Sequence, residues 1–111
     1  MAFQNVIGNR LTQREATTSY EVAYTVPPNI RTYVKDITVC NTTGSAIGVY
    51  VSLVPSGDSA SAANAVFYNA SLPAYSTMQW TGTAIMTAAD TIQIKGSAAG
   101  CTVSISGGEA S

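Results

Sequence analysis

The chain has 111 residues, enough for one domain with one core. Charged residues make up only 10% and the net charge is -1, with Arg10, Arg14, Arg31, Lys35 and Lys95 scattered, so the concentrated positive surface that nucleic-acid binding needs is absent. There is no histidine, which removes Ser-His and Cys-His nucleophilic arrangements, the usual general base near neutral pH and the commonest zinc ligand.

The first sixteen residues carry Phe3, Val6, Ile7 and Leu11 without a period-two rhythm, interrupted by Arg10, Arg14 and Glu15. Residues 1–16 therefore read either as a floppy terminus or as an extended arm that lays Phe3, Val6 and Ile7 onto a neighbouring subunit. The start lacks a charged, apolar leader and no stretch is long and apolar enough to span a bilayer, so a soluble protein made in a cytoplasm is expected.

From Thr17 the pattern turns to strands, and a single domain over 17–111 is predicted. Ser19 to Val26 is aromatic and β-branched and stops at Pro27-Pro28-Asn29. Thr32 to Cys40 predicts a second strand, with Ile37 and Val39 on the face of Tyr33. Asn41 to Ser45 is a turn cluster. Ile47, Val49, Val51 and Leu53 then alternate with Gly48, Tyr50 and Ser52, the mark of one buried face, which sends Tyr50 outward.

Ser59 to Ala65 predicts a loop with at most one helical turn, capped by Asp58 or Ser59. Val66 to Tyr68 is a short strand. Tyr75 to Thr81 follows, with Met78 and Trp80 on one face, and Ala84 to Thr87 is a further extended piece. Ala88-Ala89-Asp90 makes a tight connection. Ile92 and Ile94, then Cys101, Val103 and Ile105, are the inward residues of two closing strands, for which Gly96 to Gly100 predicts a hairpin loop. Seven or eight short strands with almost no helix predict an all-β fold, an antiparallel β-sandwich or jelly roll. The 46% of hydrophobic residues suffices for its interior.

Chemistry is sparse. Two cysteines are too few for a thiol-only metal site, and Cys40 and Cys101 read as free thiols unless adjacent strands set them face to face. The six carboxylates form no local pair of the kind a glycosidase uses. Asp58 and Asp90 suit turn chemistry better than a calcium loop, whose repeated acidic spacing is missing. The expectation is a protein that is not an enzyme, with no cofactor and no metal. Of the aromatic residues Tyr50 is the best candidate for an exposed binding role, a protein interface first and a sugar second.

The ordered series Tyr24-Thr25-Val26-Pro27-Pro28-Asn29, Val34 to Gly44, Val49 to Gly57, Ala84 to Ile92 and Val103 to Glu109 resembles a pattern common in small bacteriophage structural proteins. In these a Val-Pro turn leads to a strand ending in Asn-Thr-x-Gly. Related sequences often carry glycine before the Asp-Thr-Ile step, where this chain has Ala89. The resemblance implies a virion component on a β-sandwich: a capsid decoration (cement) subunit of the head, or a tail or neck appendage that binds host-surface glycan or another tail protein. The partners it implies are other copies, in a homotrimer, and the major capsid protein, with Phe3, Val6, Ile7 and Tyr50 as interface candidates.

Overall fold

Residues 6–111 are described by a computed structural model, and the predicted alternation of apolar and polar residues becomes eight strands. These are β1 (Val6–Glu15), β2 (Glu21–Thr25), β3 (Arg31–Asn41), β4 (Ile47–Val54), β5 (Ala65–Leu72), β6 (Thr77–Met86), β7 (Thr91–Gly96) and β8 (Cys101–Ala110). The pairing follows one rule. β4 pairs β5, β3 pairs β6, β2 pairs β7 and β1 pairs β8, all antiparallel, as if one long hairpin had been rolled up.

Rolling sends alternate pairs to opposite layers. The first sheet has the order β1-β8-β3-β6 and the second β2-β7-β4-β5. That is the eight-stranded jelly roll. Between the layers lie Val34, Ile37, Val39, Val103 and Ile105 from the first sheet and Val49, Val51, Ile92 and Ile94 from the second, all essentially inaccessible. Each such side chain contributes about 1.5–3 kcal/mol relative to an exposed one.

The segment expected as an arm is extended, but from Val6 it is the edge strand β1 and pairs with β8 as far as Glu15. The sandwich therefore takes in residues that the sequence assigned to 1–16. Arg14 closes this edge, reaching Glu21 of β2 at 3.0 Å across the layers. The lost rhythm of β1 has a cause: its register shifts between Arg10 and Thr12.

Four other expectations change. Tyr33 does not share the face of Ile37, because β3 bulges at Lys35: Thr32 and Val34 are buried on one side of it, Ile37 and Val39 on the other. Tyr33 thus lies on the outer face, opposite Ile85. The bulge also brings β8 so close that a Cβ at Gly107 would lie 1.9 Å from the Tyr33 carbonyl oxygen. Gly96 to Gly100 is not a hairpin loop, since β7 and β8 belong to different sheets and the segment crosses between them. The two extended pieces around Gly82 are one strand, β6, bent where it meets the same bulge. The helical turn is a single 3-10 turn at Ala62–Asn64, capped by Ser61 rather than by Asp58 or Ser59.

At the end of β3, Asn41 is fully buried and every polar atom of its side chain is used. Its amide nitrogen donates to the carbonyls of Ser45, Leu72 and Pro73 at 2.8, 3.1 and 3.1 Å. Its Oδ1 accepts from the Thr43 amide and hydroxyl. One side chain thereby ties the β3–β4 turn to the β5–β6 connection.

Asn41→Ala should cost about 3 kcal/mol in chemical denaturation, because several backbone groups lose their partner at once. Asn41→Asp should be worse, since a carboxylate would face the same carbonyl oxygens. A loss below about 1 kcal/mol for either would remove Asn41 from this role. Ala89 adopts φ 71, in the left-handed region that favours glycine. Ala89→Gly should therefore raise stability by about 1 kcal/mol, read as an upward shift of the thermal midpoint.

Candidate functional site

The outer face of the second sheet carries an aromatic row. Tyr50 of β4 lies opposite Lys95 of β7, so their side chains leave the sheet on the same side, away from the buried Val49 and Val51. Tyr20, just before β2, and Tyr68 of β5 complete the row. The Tyr20 and Tyr50 rings meet edge to face with centroids 6.0 Å apart, and Tyr50 and Tyr68 do so at 5.3 Å. The Lys95 ammonium sits over both inner rings, 4.3 Å from the Tyr50 centroid and 4.9 Å from that of Tyr20. Such a placement stabilises the cation by cation–π attraction.

Four strands at a spacing of roughly 4.8 Å make this row about 14 Å long. Tyr50 is half-buried within it, whereas Tyr68 is 58% exposed at its end. The outward turn of Tyr50 was legible from its alternation with Val49 and Val51. Its partners were not, because Tyr20, Tyr68 and Lys95 arrive from three other strands. The sequence gives only one weak signal for them, a tyrosine near the end of each apolar run.

The row ends where the β4–β5 connection folds back. Ser52 and Val54 have the outward register of Tyr50 yet are buried, and the 3-10 turn packs against β4. The connection encloses an open depression of about 430 Å³ lined by Pro55, Asp58, Ser59, Ser61, Ala63 and Asn64. The Ser52 hydroxyl is buried and has no hydrogen-bond partner among the described residues.

The other candidates fall apart spatially. Phe3 lies outside the described residues. Val6 begins β1, and Ile7 on the same strand is 67% exposed. Ile7 lies on the β1 edge in the row of Glu109, Thr32 and Met86, whereas Ile85 lies on the β6 edge in the next row, with Tyr33. The two therefore face opposite sides of the first sheet, and neither joins the tyrosine row on the other sheet. Trp80 is partly buried and packs against the core. Asp90 does turn chemistry, accepting from the Thr87 amide at 3.0 Å and the Ser56 amide at 2.9 Å. No cluster of three metal-ligating side chains occurs among the described residues.

Cys40 and Cys101 are free thiols on adjacent strands. Cys40 lies opposite Thr102 and Cys101 opposite Asn41, which sends the two side chains to opposite faces, so they cannot bridge. Burial pushes the Cys101 thiol up, with the neighbouring Cys40 adding to it. A thiol reagent should modify Cys40 in the native protein and reach Cys101 only on unfolding.

A second polar cluster pins the two layers near the end of β8. The Tyr24 hydroxyl donates to Glu109 at 2.5 Å and lies 2.9 Å from the Thr32 hydroxyl, while Asn9 donates to the other Glu109 oxygen at 2.8 Å. Burial, then the hydrogen bond to Glu109, pushes the Tyr24 phenol up to about 12. Set against families of known proteins, against curated proteins and against solved structures, the chain finds no match.

The raised Tyr24 value makes stability pH-dependent. The folded phenol holds its proton more tightly than the unfolded one, so this contribution is complete below about pH 10 and falls away as pH rises towards about 12. Alkaline unfolding followed at fixed denaturant should show this loss, and Tyr24→Phe should flatten it. An unchanged alkaline slope in that variant would break the assignment.

Proposed function

We propose that the chain is a structural subunit of a bacteriophage particle, most directly a capsid decoration protein that cements the head through protein–protein contacts. The observation that carries this reading is where polar chemistry sits. The space between the layers is mostly aliphatic, and its polar groups, Asn41 and the Tyr24–Thr32–Glu109 cluster, are bonded to one another or to backbone. The described residues hold no group of three metal-ligating side chains. What remains to act is the outer surface of a rigid jelly roll. The ordered motifs that resemble phage structural proteins support the same reading, as does a chain in which charge is only 10%. Weak mutual repulsion suits a protein that spends its life among packed neighbours.

In this reading the outer face of the first sheet, where Tyr33 and Ile85 lie, meets the shell, and the subunits act as trimers at its symmetry positions. Many modest contacts repeated over the lattice hold the assembled shell more firmly than free subunits. A second reading, a neck or tail appendage that binds host-surface glycan, is favoured by the tyrosine row on the opposite sheet.

Light scattering should give the mass of a trimer, and the protein should sediment with undecorated shells. Ile85→Asp should weaken that association about ten-fold or more while leaving the fold intact, since it removes one buried aliphatic contact. A protein that stays monomeric and ignores empty shells would overturn the cement reading.

A further inference from the structure

Lys95 is a cation whose charge is not neutralised on its own face. Four of the six carboxylates are engaged elsewhere, Glu15 lies on β1 of the other sheet, and Asp58 lines the depression in the β4–β5 connection. Glu21 binds Arg14 and Thr17. Asp90 binds Thr87 and Ser56, and Glu109 binds Tyr24 and Asn9 between the layers. Asp36, on the first sheet, binds Gln79 and Thr38. Among the described residues no carboxylate pairs with Lys95, which is held instead between two tyrosine rings.

We infer that the outer face of the second sheet is a binding site for an acidic polysaccharide, the sugar carboxylate meeting Lys95 and a pyranose ring lying on the exposed Tyr68, whose ring stands edge to face with Tyr50. The inference deepens the glycan-binding reading above and rests on it. Charge complementarity selects an anion, because the face offers one uncompensated positive charge. The surroundings select a sugar over a protein. Beside the rings stand Gln93, Asn69 and Ser71, whose amides and hydroxyl match the hydroxyl groups of a sugar. Val22 is the one exposed large aliphatic residue on this face, whereas Ile7 and Ile85 lie on the other sheet. A protein interface would draw on a contiguous aliphatic core, and this row has none. The geometry also fits a chain rather than a single sugar: about 14 Å spans roughly three pyranose units along an open surface.

The two sheets would then divide the work. The first fixes the subunit to the particle, and the second faces away from it and meets the polysaccharide coat of a cell.

Retention on immobilised polygalacturonate and alginate, against neutral dextran and the non-sugar polyanion polyglutamate, tests this with the full chain. Both uronates should retain the protein, dextran and polyglutamate should not, and added salt should weaken retention. Lys95→Gln and Tyr68→Ala should each weaken binding about ten-fold, the scale of one desolvated cation–π or stacking contact. Ile85→Asp, on the other sheet, should bind uronates as the unaltered chain does. Equal retention on polyglutamate, or no retention on either uronate, would overturn the proposal. Shell association is measured separately, so a protein that binds shells but no uronate loses only this inference. One that binds uronate but no shell keeps it and loses the cement reading.

Discussion

One residue inserted into β3 governs the first sheet. At Lys35 the strand takes an extra step against β8, and at the same place β6 takes an extra step of its own, Gly82 and Thr83 against the one residue of β3. The inward set changes parity there, from Thr32 and Val34 to Ile37 and Val39. Without that step either the first or the second half of β3 would turn its aliphatic residues to water, because a one-residue slip inverts every side chain beyond it. The same step sends Tyr33 and Ile85 outward and presses β8 against the Tyr33 carbonyl, where Gly107 alone fits. Interior and outer face of this sheet are therefore set together.

The fold was legible where alternation is uninterrupted. Ile47, Val49 and Val51, the Ile92–Ile94 pair and the Cys101–Val103–Ile105 run all face inward as their spacing indicates. Reading failed at irregularities that leave no mark in composition. The bulges at Lys35 and near Arg10 hide the phase of β3 and β1. The Gly96–Gly100 segment has hairpin composition, but β7 pairs with β2 and β4 while β8 pairs with β1 and β3, so it crosses between the layers, and that long-range pairing leaves no mark in the segment itself. Ala89, where the resembling sequences carry glycine, adopts φ 71, a backbone angle that its composition does not reveal.

The candidate site was half legible for a related reason. Outward orientation is a property of one strand, and Tyr50 declared it. A binding surface is a property of several strands in register, and pairing of β2, β7, β4 and β5 is long-range information. Likewise Asn41 could be read as part of a turn cluster, but its bonds to Leu72 and Pro73 span some thirty residues and appear only once the layers close.

The rolled-hairpin pairing also fixes an order of events. Only β4 and β5 are neighbours in both sequence and sheet; each further pair encloses the one before, and β1 closes on β8, nearly a hundred residues away. Loop-closure entropy delays such distant pairs, and on a ribosome β1 must wait until β8 has been made. During that interval an early strand, including Ile7 and Leu11, is unpaired and sticky. The charges that spoil its rhythm, Arg10, Arg14 and Glu15, are then what keeps it from pairing with the wrong edge.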